Sequence, residues 1–395
     1  FCMKVLITNI YSFKNKGDAT IVFSAIEGLK KKHKNPEFIL STDDLNDKGK
    51  YGDYQVVSSF TRLFHNKFKR DFLNSIINFL YYLRLISIFK VERFLYRYKI
   101  RFDLIYGGNL KKKLQSYREA DIVYAIGGGY LLTKTSLRKI DKLFGRISLH
   151  IVCLEFYFAK AYRKSIVLLH QSIGPFNYSQ DVKQTIGYLS NIDLIVSREK
   201  YTFNLLRSNG INNTILKSDL AFTFDLPGNS FFNNPLIPRF NNKLGITARV
   251  CLPAKEQSRY ENALIEFITY YLNEYTDAAI YFIPQVIYAE RYDDDTSVAK
   301  KIYSSIAEEL QGRLICIEDD LPPQDLKATI SECEFFVGTR MHSNIFALSS
   351  YVKTIALAYE YKTTGIMEML GLAEYTVSVE KVTSDFLITA IQNLK

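Results

Sequence analysis

The stretch VGTRMHSNIFALSSYVKTIALAYEYK, residues 337–362, places two strand-to-helix turns one after the other. An apolar strand ends at Gly338, and a short helix begins at His342 or Ser343. A second strand, KTIALAY, ends just before Lys362, where the next helix starts. Strands and helices that alternate in this way are typical of a parallel sheet covered by helices, with ligands bound beyond the carboxyl ends of the strands. The stretch therefore predicts an α/β fold with its functional residues in the turns.

The same pattern extends in both directions from this stretch. Near-continuous apolar runs such as KVLITNI (4–10), ADIVYAI (120–126) and SIVLLHQ (165–171) alternate with helical segments, which favours a doubly wound parallel sheet. A second series of strands and helices starts at 243. Between them, a stretch with three prolines and many asparagines has no periodicity and reads as a linker. We predict two Rossmann-like domains that face a cleft: 1–225, a linker at 226–242, and 243–395.

Composition excludes several classes of protein. Of 395 residues, 47% are hydrophobic and 23% charged, which is globular rather than disordered composition. The five cysteines show no C-x-x-C spacing, which argues against a disulfide framework or a zinc site. The N-terminal run MKVLITNI lacks a signal-peptide pattern, and no stretch of about 18 apolar residues is present. These features predict a cytoplasmic protein.

The net charge of +10 is concentrated in one segment. Residues 60–102 contain ten Lys or Arg and only two acidic residues, which favours a local anionic partner over general nucleic-acid binding. Phe60, Phe64, Phe68 and Phe72 recur at four-residue spacing and predict a helix with an aromatic stripe. Two interpretations stay open. The stripe could pack on the first domain, or the segment could contact an anionic membrane peripherally. The basic residues are Arg62, Lys67, Lys69, Arg70, Arg84, Lys90, Arg93, Arg97, Lys99 and Arg101.

Three side chains in the opening stretch favour anion chemistry. Arg340 can hold a carboxylate or phosphate with two hydrogen bonds, Lys362 adds a point charge, and His342 can exchange a proton near neutral pH. Both helices would direct backbone N–H groups of their first turns towards the same anion. Taken singly, a histidine after a strand is more often structural and such a lysine is usually solvated. The three together predict a site.

Other turns carry weaker signals. The run Gly127, Gly128, Gly129 would let a ligand approach the backbone, or it could serve turn geometry alone. It matches neither G-x-G-x-x-G nor a P-loop, so dinucleotide and ATP binding are disfavoured. Arg198 could point into the cleft, or it could form an ion pair with Glu199 or another neighbour. The acidic run at 293–295 resembles a metal cluster, but capping of the following helix explains it better. We predict no metal site.

The sequence resembles the polysaccharide pyruvyl transferase family over nearly its whole length. The resemblance rests on Asn15, Gly17, Asp18 and Ala19 at the first turn, Gly127–Gly129 with Leu131 and Leu132, Ser172–Pro175, Arg198, Asp219, GTRMHSNIFAL and YEYK. The block around His342 is the most specific of these. Met341 stands where the family more commonly has leucine.

This resemblance implies a two-domain GT-B-like fold and phosphoenolpyruvate as the donor, with no cofactor. It assigns donor binding to Arg198, His342 and Lys362, with Arg340 alongside. We expect His342 to be the catalytic acid, since forming a pyruvate ketal requires protonation of the donor's methylene carbon. The remaining residues expected to bind substrate are Gly17, Asp18, Gly127, Gly128, Gly129 and Ser172.

The predicted function is transfer of a pyruvyl group onto a sugar as a ketal in surface polysaccharide biosynthesis. The acceptor sugar could be linked to a lipid diphosphate, which would bring the enzyme to the inner face of the membrane. One alternative is a nucleotide-sugar-dependent glycosyltransferase of the same fold, for which Glu360 is the available carboxylate. Another is a non-catalytic binder of anions or nucleic acid. No nucleic-acid partner is predicted.

Overall fold

The computed structural model describes residues 2–64, 72–98, 106–133, 139–176, 178–238, 240–287 and 294–395. The chain forms two compact units. The first comprises Phe1–Phe13 and Ile21–Leu220, and the second comprises Lys14–Thr20 and Ala221–Lys395. A short N-terminal segment therefore folds with the C-terminal half of the protein.

The first unit contains a parallel sheet of seven strands in the order β3-β2-β1-β4-β5-β6-β7 among the described residues. The strands are β1 (Met3–Ile10), β2 (Pro36–Thr42), β3 (Gln55–Ser58), β4 (Ile122–Ala125), β5 (Ser165–Gln171), β6 (Leu194–Ser197) and β7 (Thr214–Leu216). The α-helices are α1 (Lys16–Lys32), α2 (Phe60–Phe64), α3 (Phe72–Arg97), α4 (Gly108–Glu119), α5 (Lys139–Ala161), α6 (Ser179–Leu189) and α7 (Lys200–Ser208).

The second unit contains a parallel sheet of six strands, with the order β10-β9-β8-β11-β12-β13 in the part that the structure describes. Its strands are β8 (Asn242–Thr247), β9 (Ala278–Phe282), β10 (Leu314–Cys316), β11 (Phe335–Gly338), β12 (Lys353–Ala358) and β13 (Thr376–Ser378). Its α-helices are α8 (Ala254–Glu274), α9 (Asp295–Tyr303), α10 (Glu308–Gln311), α11 (Pro323–Ser331), α12 (Met341–Ser349), α13 (Tyr361–Met369) and α14 (Ser384–Leu394). The two predicted Rossmann-like folds are confirmed.

Apolar runs form the central strands because both faces of each sheet are covered by helices. In the first unit, Val5, Leu6 and Ile7 of β1 are completely buried, and so are Phe336 and Val337 of β11 in the second. Since all strands in a sheet run parallel, their carboxyl ends lie at one edge. The turns that follow β4, β5 and β6, and those that follow β8, β9, β11 and β12, are therefore gathered at these edges.

The stretch predicted as a linker, 226–242, packs within the second unit. The amide of Asn229 donates to Asp325 Oδ1 at 2.7 Å, and the amide of Phe231 donates to Thr329 Oγ1 at 2.9 Å. Gly228 lies so close to the backbone of Gln324 that a Cβ there would be 2.1 Å from its carbonyl oxygen. These contacts fix the stretch against α11.

The basic segment 60–102 is helical where the structure describes it, in α2 and α3. Phe60 is fully buried and stacks on Phe158 with ring centroids 4.5 Å apart, so this residue of the predicted aromatic stripe belongs to the core. Phe68 lies outside the described residues, as do Lys67, Lys69, Arg70, Lys99 and Arg101. Among the described residues, no helix is both long enough and apolar enough to cross a membrane.

Candidate active site

His342 lies in the first turn of α12 and packs on the backbone of Gly17. A Cβ built at Gly17 would lie 2.1 Å from His342 Nδ1 and 2.4 Å from Cγ, distances that no side chain permits. The imidazole is buried, with 7% of the residue exposed. Glycine at this position is therefore a packing requirement. The structure brings together two predicted site residues from opposite ends of the sequence.

The turn that carries Gly17 is held by Asn15 and Gln285. Asn15 Oδ1 accepts from the amide of Gly17 at 3.1 Å and caps the start of α1. Gln285 Nε2 reaches the same oxygen at 3.4 Å. The Oε1 atom of Gln285 accepts from the amide and the hydroxyl of Ser343 at 2.9 and 2.6 Å. One buried amide side chain thus connects the start of α1 to the first turn of α12.

Arg340 forms a buried ion pair with Asp295. Its Nη2 lies 2.7 Å from Asp295 Oδ1, and its Nε lies 3.1 and 3.2 Å from the two carboxylate oxygens. Asp295 Oδ2 also accepts from the amides of Gln285 and Val286. Burial raises the pKa of Asp295, although Arg340 and these amides stabilise its anion. Much of the guanidinium is therefore committed to an internal carboxylate.

The ion pair between Arg340 and Asp295 revises the interpretation of the acidic run at 293–295. Asp294 is the N-cap of α9 and accepts from the amide of Thr296 at 2.8 Å, so the predicted capping is confirmed for this residue. Asp295 instead points inward to Arg340, which was not predicted. Asp293 lies outside the described residues. Within the described ranges, no group of three or more His, Cys, Asp or Glu residues could hold a metal ion.

Two lysines add positive charge to the same unit. Lys362 lies in the first turn of α13, is 8% exposed, and has its Nζ 3.0 Å from Glu360 Oε2. Lys16, in the first turn of α1, is 4% exposed and pairs with Asp320, a carboxylate whose side chain is 51% exposed. Lys16 was not predicted from sequence; its position directly before Gly17 was the available signal. Asp18, also in the first turn of α1, is half-buried.

The first unit contains the second group of predicted residues, at the carboxyl ends of β4, β5 and β6. Arg198 is 2% exposed; its Nε donates to Ser172 Oγ at 2.7 Å and its Nη1 to Asp219 Oδ2 at 2.7 Å. Of the two kinds of ion pair that the sequence left open, the one with another neighbour is formed, to Asp219, and not the one with Glu199. Glu199 instead caps α7 through the amide of Thr202 at 2.8 Å.

The glycine run packs against the end of β5. A Cβ at Gly127 would lie 2.4 Å from the carbonyl oxygen of His170, so this glycine serves close packing of two strands. The carbonyl of Gly128 accepts from the amide of Ser172 at 3.2 Å. Gly129 follows at a partly exposed bend. Gly127, Gly128, Ser172 and Arg198 thus form one connected group.

The geometry of the second unit suits anion binding coupled to proton transfer. An imidazole lies in the first turn of one helix, and ammonium groups lie in the first turns of α1 and α13. Helix N-termini and cations both favour negative charge, and an imidazole can supply or remove a proton near neutral pH.

Comparison with known proteins shows which protein family the sequence matches. The family model described as polysaccharide pyruvyl transferase matches residues 15–361. The amylovoran biosynthesis protein AmsJ of Erwinia amylovora is 23% identical over 296 residues, which are 71% of this chain. The match spans 66% of AmsJ, just under two thirds of its length.

Solved structures resemble the chain in fold alone. The UDP-GlcNAc 2-epimerase of Methanocaldococcus jannaschii superposes with a TM-score of 0.55 at 13% identity, covering 99% of this chain and 92% of that one. The S. aureus MnaA–UDP co-structure gives a TM-score of 0.55 at 12% identity, covering 100% and 88%. These likenesses agree with the GT-B type of fold, which is built from two Rossmann-like units.

Proposed function

The chain belongs to the polysaccharide pyruvyl transferase family, and we propose that it transfers the pyruvyl group of phosphoenolpyruvate to sugar hydroxyls as a ketal, with release of phosphate. The observation that carries this proposal is the packing of His342, in the first turn of α12, on the backbone of Gly17, in a unit where Lys16 and Lys362 lie in the first turns of two other helices. A donor that bears a carboxylate and a phosphate needs several cations, and its chemistry needs an acid.

The proposed reaction assigns the proton to His342. Protonation of the methylene carbon makes a methyl group and leaves an oxocarbenium ion at the central carbon. One sugar hydroxyl adds to this carbon and passes its proton to the now neutral His342, which restores the acid. The C–O bond to phosphate then breaks, a neighbouring hydroxyl closes the ketal, and the phosphate takes up the second hydroxyl proton. Lys362 would stabilise the departing phosphate by its charge.

The proposed acceptor is a sugar intended for a surface polysaccharide. We further propose that it is carried on a lipid diphosphate and that the protein works at the cytoplasmic face of a membrane. The basic segment 60–102 supports this, since a local surplus of positive charge is attracted to anionic lipid surfaces.

The test is incubation with phosphoenolpyruvate and candidate lipid-linked or nucleotide-linked sugars, followed by phosphate assay and mass spectrometry. The expected product carries a pyruvate ketal, and phosphate appears in equal amount. Release of nucleotide from a nucleotide sugar without any requirement for phosphoenolpyruvate would instead identify a glycosyltransferase. Glu360, the carboxylate available for that alternative, pairs with Lys362.

Replacing Lys362 by methionine is expected to weaken phosphoenolpyruvate binding by roughly ten- to a hundredfold, the usual cost of losing a hydrogen bond to a charged group. Calorimetric titration of the donor measures the effect. The matched control is Lys381→Met, which removes the same charge from an exposed position of the same unit. Equal affinities for the two variants would remove Lys362 from the donor site.

Replacing Gly17 by alanine is expected to lower turnover by at least about tenfold, because the new methyl group would displace the His342 ring and misplacement by about 1 Å is costly in catalysis. Steady-state kinetics measures this. Gly28→Ala is the matched control, since nothing lies within 4 Å of a Cβ at that position of the same helix. Normal turnover in Gly17→Ala would show that the position of the ring is unimportant.

A further inference from the structure

Helix α3 exposes an apolar stripe along one side. Leu80 is 58% exposed, Leu83 44%, Val91 44%, Phe94 57% and Tyr98, one residue beyond the helix end, 58%. With the exposed Ser87, these positions recur every three or four residues, which is the repeat of one helix face. The stripe runs for roughly 27 Å at the usual rise per residue. An exposed apolar surface of this kind marks an interaction site.

The opposite side of α3 is built into the first unit. Leu85 is completely buried, Ile88 is 8% exposed, and both belong to the core of that unit. Glu92, the acidic residue of the helix, is 1% exposed and receives hydrogen bonds from Arg118 and Tyr162. The helix is therefore anchored by one face, and the apolar stripe is not needed for its attachment.

The charges beside the stripe are all positive. Arg84, Lys90, Arg93 and Arg97 are exposed, and none of them pairs with a carboxylate in the described part of the chain. With Glu92 turned inward, the exposed side of α3 carries four cations and no anion. Long basic side chains beside an apolar strip can direct their charges to lipid headgroups while their methylenes cover apolar surface.

A pocket borders this surface on one side. Its lining includes Phe89 and Arg93 of α3, Tyr157 and Lys160 of α5, and Tyr188 of α6. Lys160 is paired with Asp193, whereas Arg93 is available at the pocket's edge. An aromatic-lined recess with a cation at its edge suits a phosphate headgroup with its attached hydrocarbon.

We propose that α3 docks the protein on an anionic phospholipid bilayer, with Leu80, Leu83, Val91, Phe94 and Tyr98 at the level of the headgroups. This surface deepens the proposed function by supplying its membrane partner. A second copy of the chain is a poorer occupant, because pairing two stripes would bring eight cations together without a counter-charge. A bilayer rich in phosphatidylglycerol satisfies both the apolar and the charged features.

The first experiment uses the absence of tryptophan from the sequence. Phe94→Trp places a single reporter on the stripe, and Leu236→Trp places one at a position in the second unit that is 86% exposed. On addition of phosphatidylglycerol vesicles at low salt, without phosphoenolpyruvate, the emission of Phe94→Trp is expected to shift to the blue and that of Leu236→Trp to stay unchanged. No shift for Phe94→Trp would overturn the proposal.

The second experiment compares two sets of four charge removals by co-sedimentation with the same vesicles. Changing Arg84, Lys90, Arg93 and Arg97 to glutamine is expected to lower affinity by roughly two to three orders of magnitude. The control set, Lys31, Lys217, Lys255 and Lys381 changed to glutamine, removes equal charge from exposed positions elsewhere and should bind nearly as the wild type does. Equal losses in both sets would show attraction by net charge alone and would contradict docking through α3.

Two further results would also overturn the proposal. One is equal binding to vesicles of phosphatidylcholine alone, which carry no net charge. The other is a blue shift of Phe94→Trp on concentrating the protein without vesicles, which would assign the stripe to a second copy. Vesicle binding is measured without donor, and pyruvyl transfer can be assayed with a water-soluble acceptor. A failure of membrane docking through α3 therefore leaves the proposed pyruvyl transfer standing, and a failure of pyruvyl transfer leaves membrane docking standing.

Discussion

Turnover of a His342→Ala variant is expected to fall by about a hundredfold or more, the usual loss when a general acid is removed. Affinity for phosphoenolpyruvate should change much less, because the proposed role of the imidazole is to deliver a proton to carbon and the cations hold the anion. The fold should persist, since the ring packs on Gly17 at the start of a helix and lies outside the main apolar cluster of the second unit.

Rapid quench and calorimetry separate these two effects by measuring turnover and donor affinity independently. His342→Gln is a second variant, which keeps a polar side chain of similar length but cannot act as an acid. The matched control is His33→Ala, which removes a partly buried histidine bonded to Tyr124 in the first unit. If His342→Ala turned over at a near-normal rate while remaining folded, the catalytic assignment would be wrong.

The fold was predictable because it depends on short-range patterns. Continuous apolar runs followed by glycine or polar turns are enough to indicate parallel strands, and parallel strands determine where the turns gather. The path of the chain between the units was not predictable in the same way. Lys14–Thr20 folds with the second unit, and no local pattern in those residues indicates a partner from the C-terminal half.

The residue types of the candidate site and their places in turns were predictable from the sequence, but their hydrogen-bond and ion-pair partners were not. Gly17, His342, Arg340 and Lys362 were all expected at turns, yet a sequence does not distinguish an arginine that faces a ligand from one that neutralises an internal carboxylate. The partner Asp295 lies in a different turn, and only the tertiary structure brings it to Arg340. For the same reason, the position of Gln285 directly after a strand did not reveal its hydrogen bonds to Asn15 and Ser343.

The basic segment 60–102 illustrates a further limit of prediction from sequence. The helix predicted from the four-residue spacing is found in the described residues, as α2 and α3, but spacing alone does not say which face is buried. Phe60 lies in the core, whereas the exposed stripe lies between Leu80 and Tyr98 among the side chains that the structure describes. Burial of Glu92 leaves the exposed side of α3 without an acidic residue, and that follows from its hydrogen bonds to Arg118 of α4 and to Tyr162, which comes directly after α5.

Replacing Asp295 by alanine is expected to lower the free energy of unfolding by about 3–5 kcal/mol, the cost of leaving one partner of a buried ion pair uncompensated. Arg340 would keep its charge in the interior, and the amides of Gln285 and Val286 would lose their shared acceptor. Chemical denaturation monitored by circular dichroism measures the change. Asp294→Ala, at the adjacent N-cap of α9, is the matched control and should cost only about 1 kcal/mol.

A double variant, Asp295→Leu with Arg340→Met, tests the cause of that loss. It removes both charges and keeps apolar volume, so it should be more stable than Asp295→Ala if the unpaired arginine is responsible. Because this variant is expected to fold, its affinity for phosphoenolpyruvate then shows whether Arg340 also contacts the donor. A double variant no more stable than Asp295→Ala would mean that the lost backbone acceptor, and not the charge on Arg340, accounts for the effect.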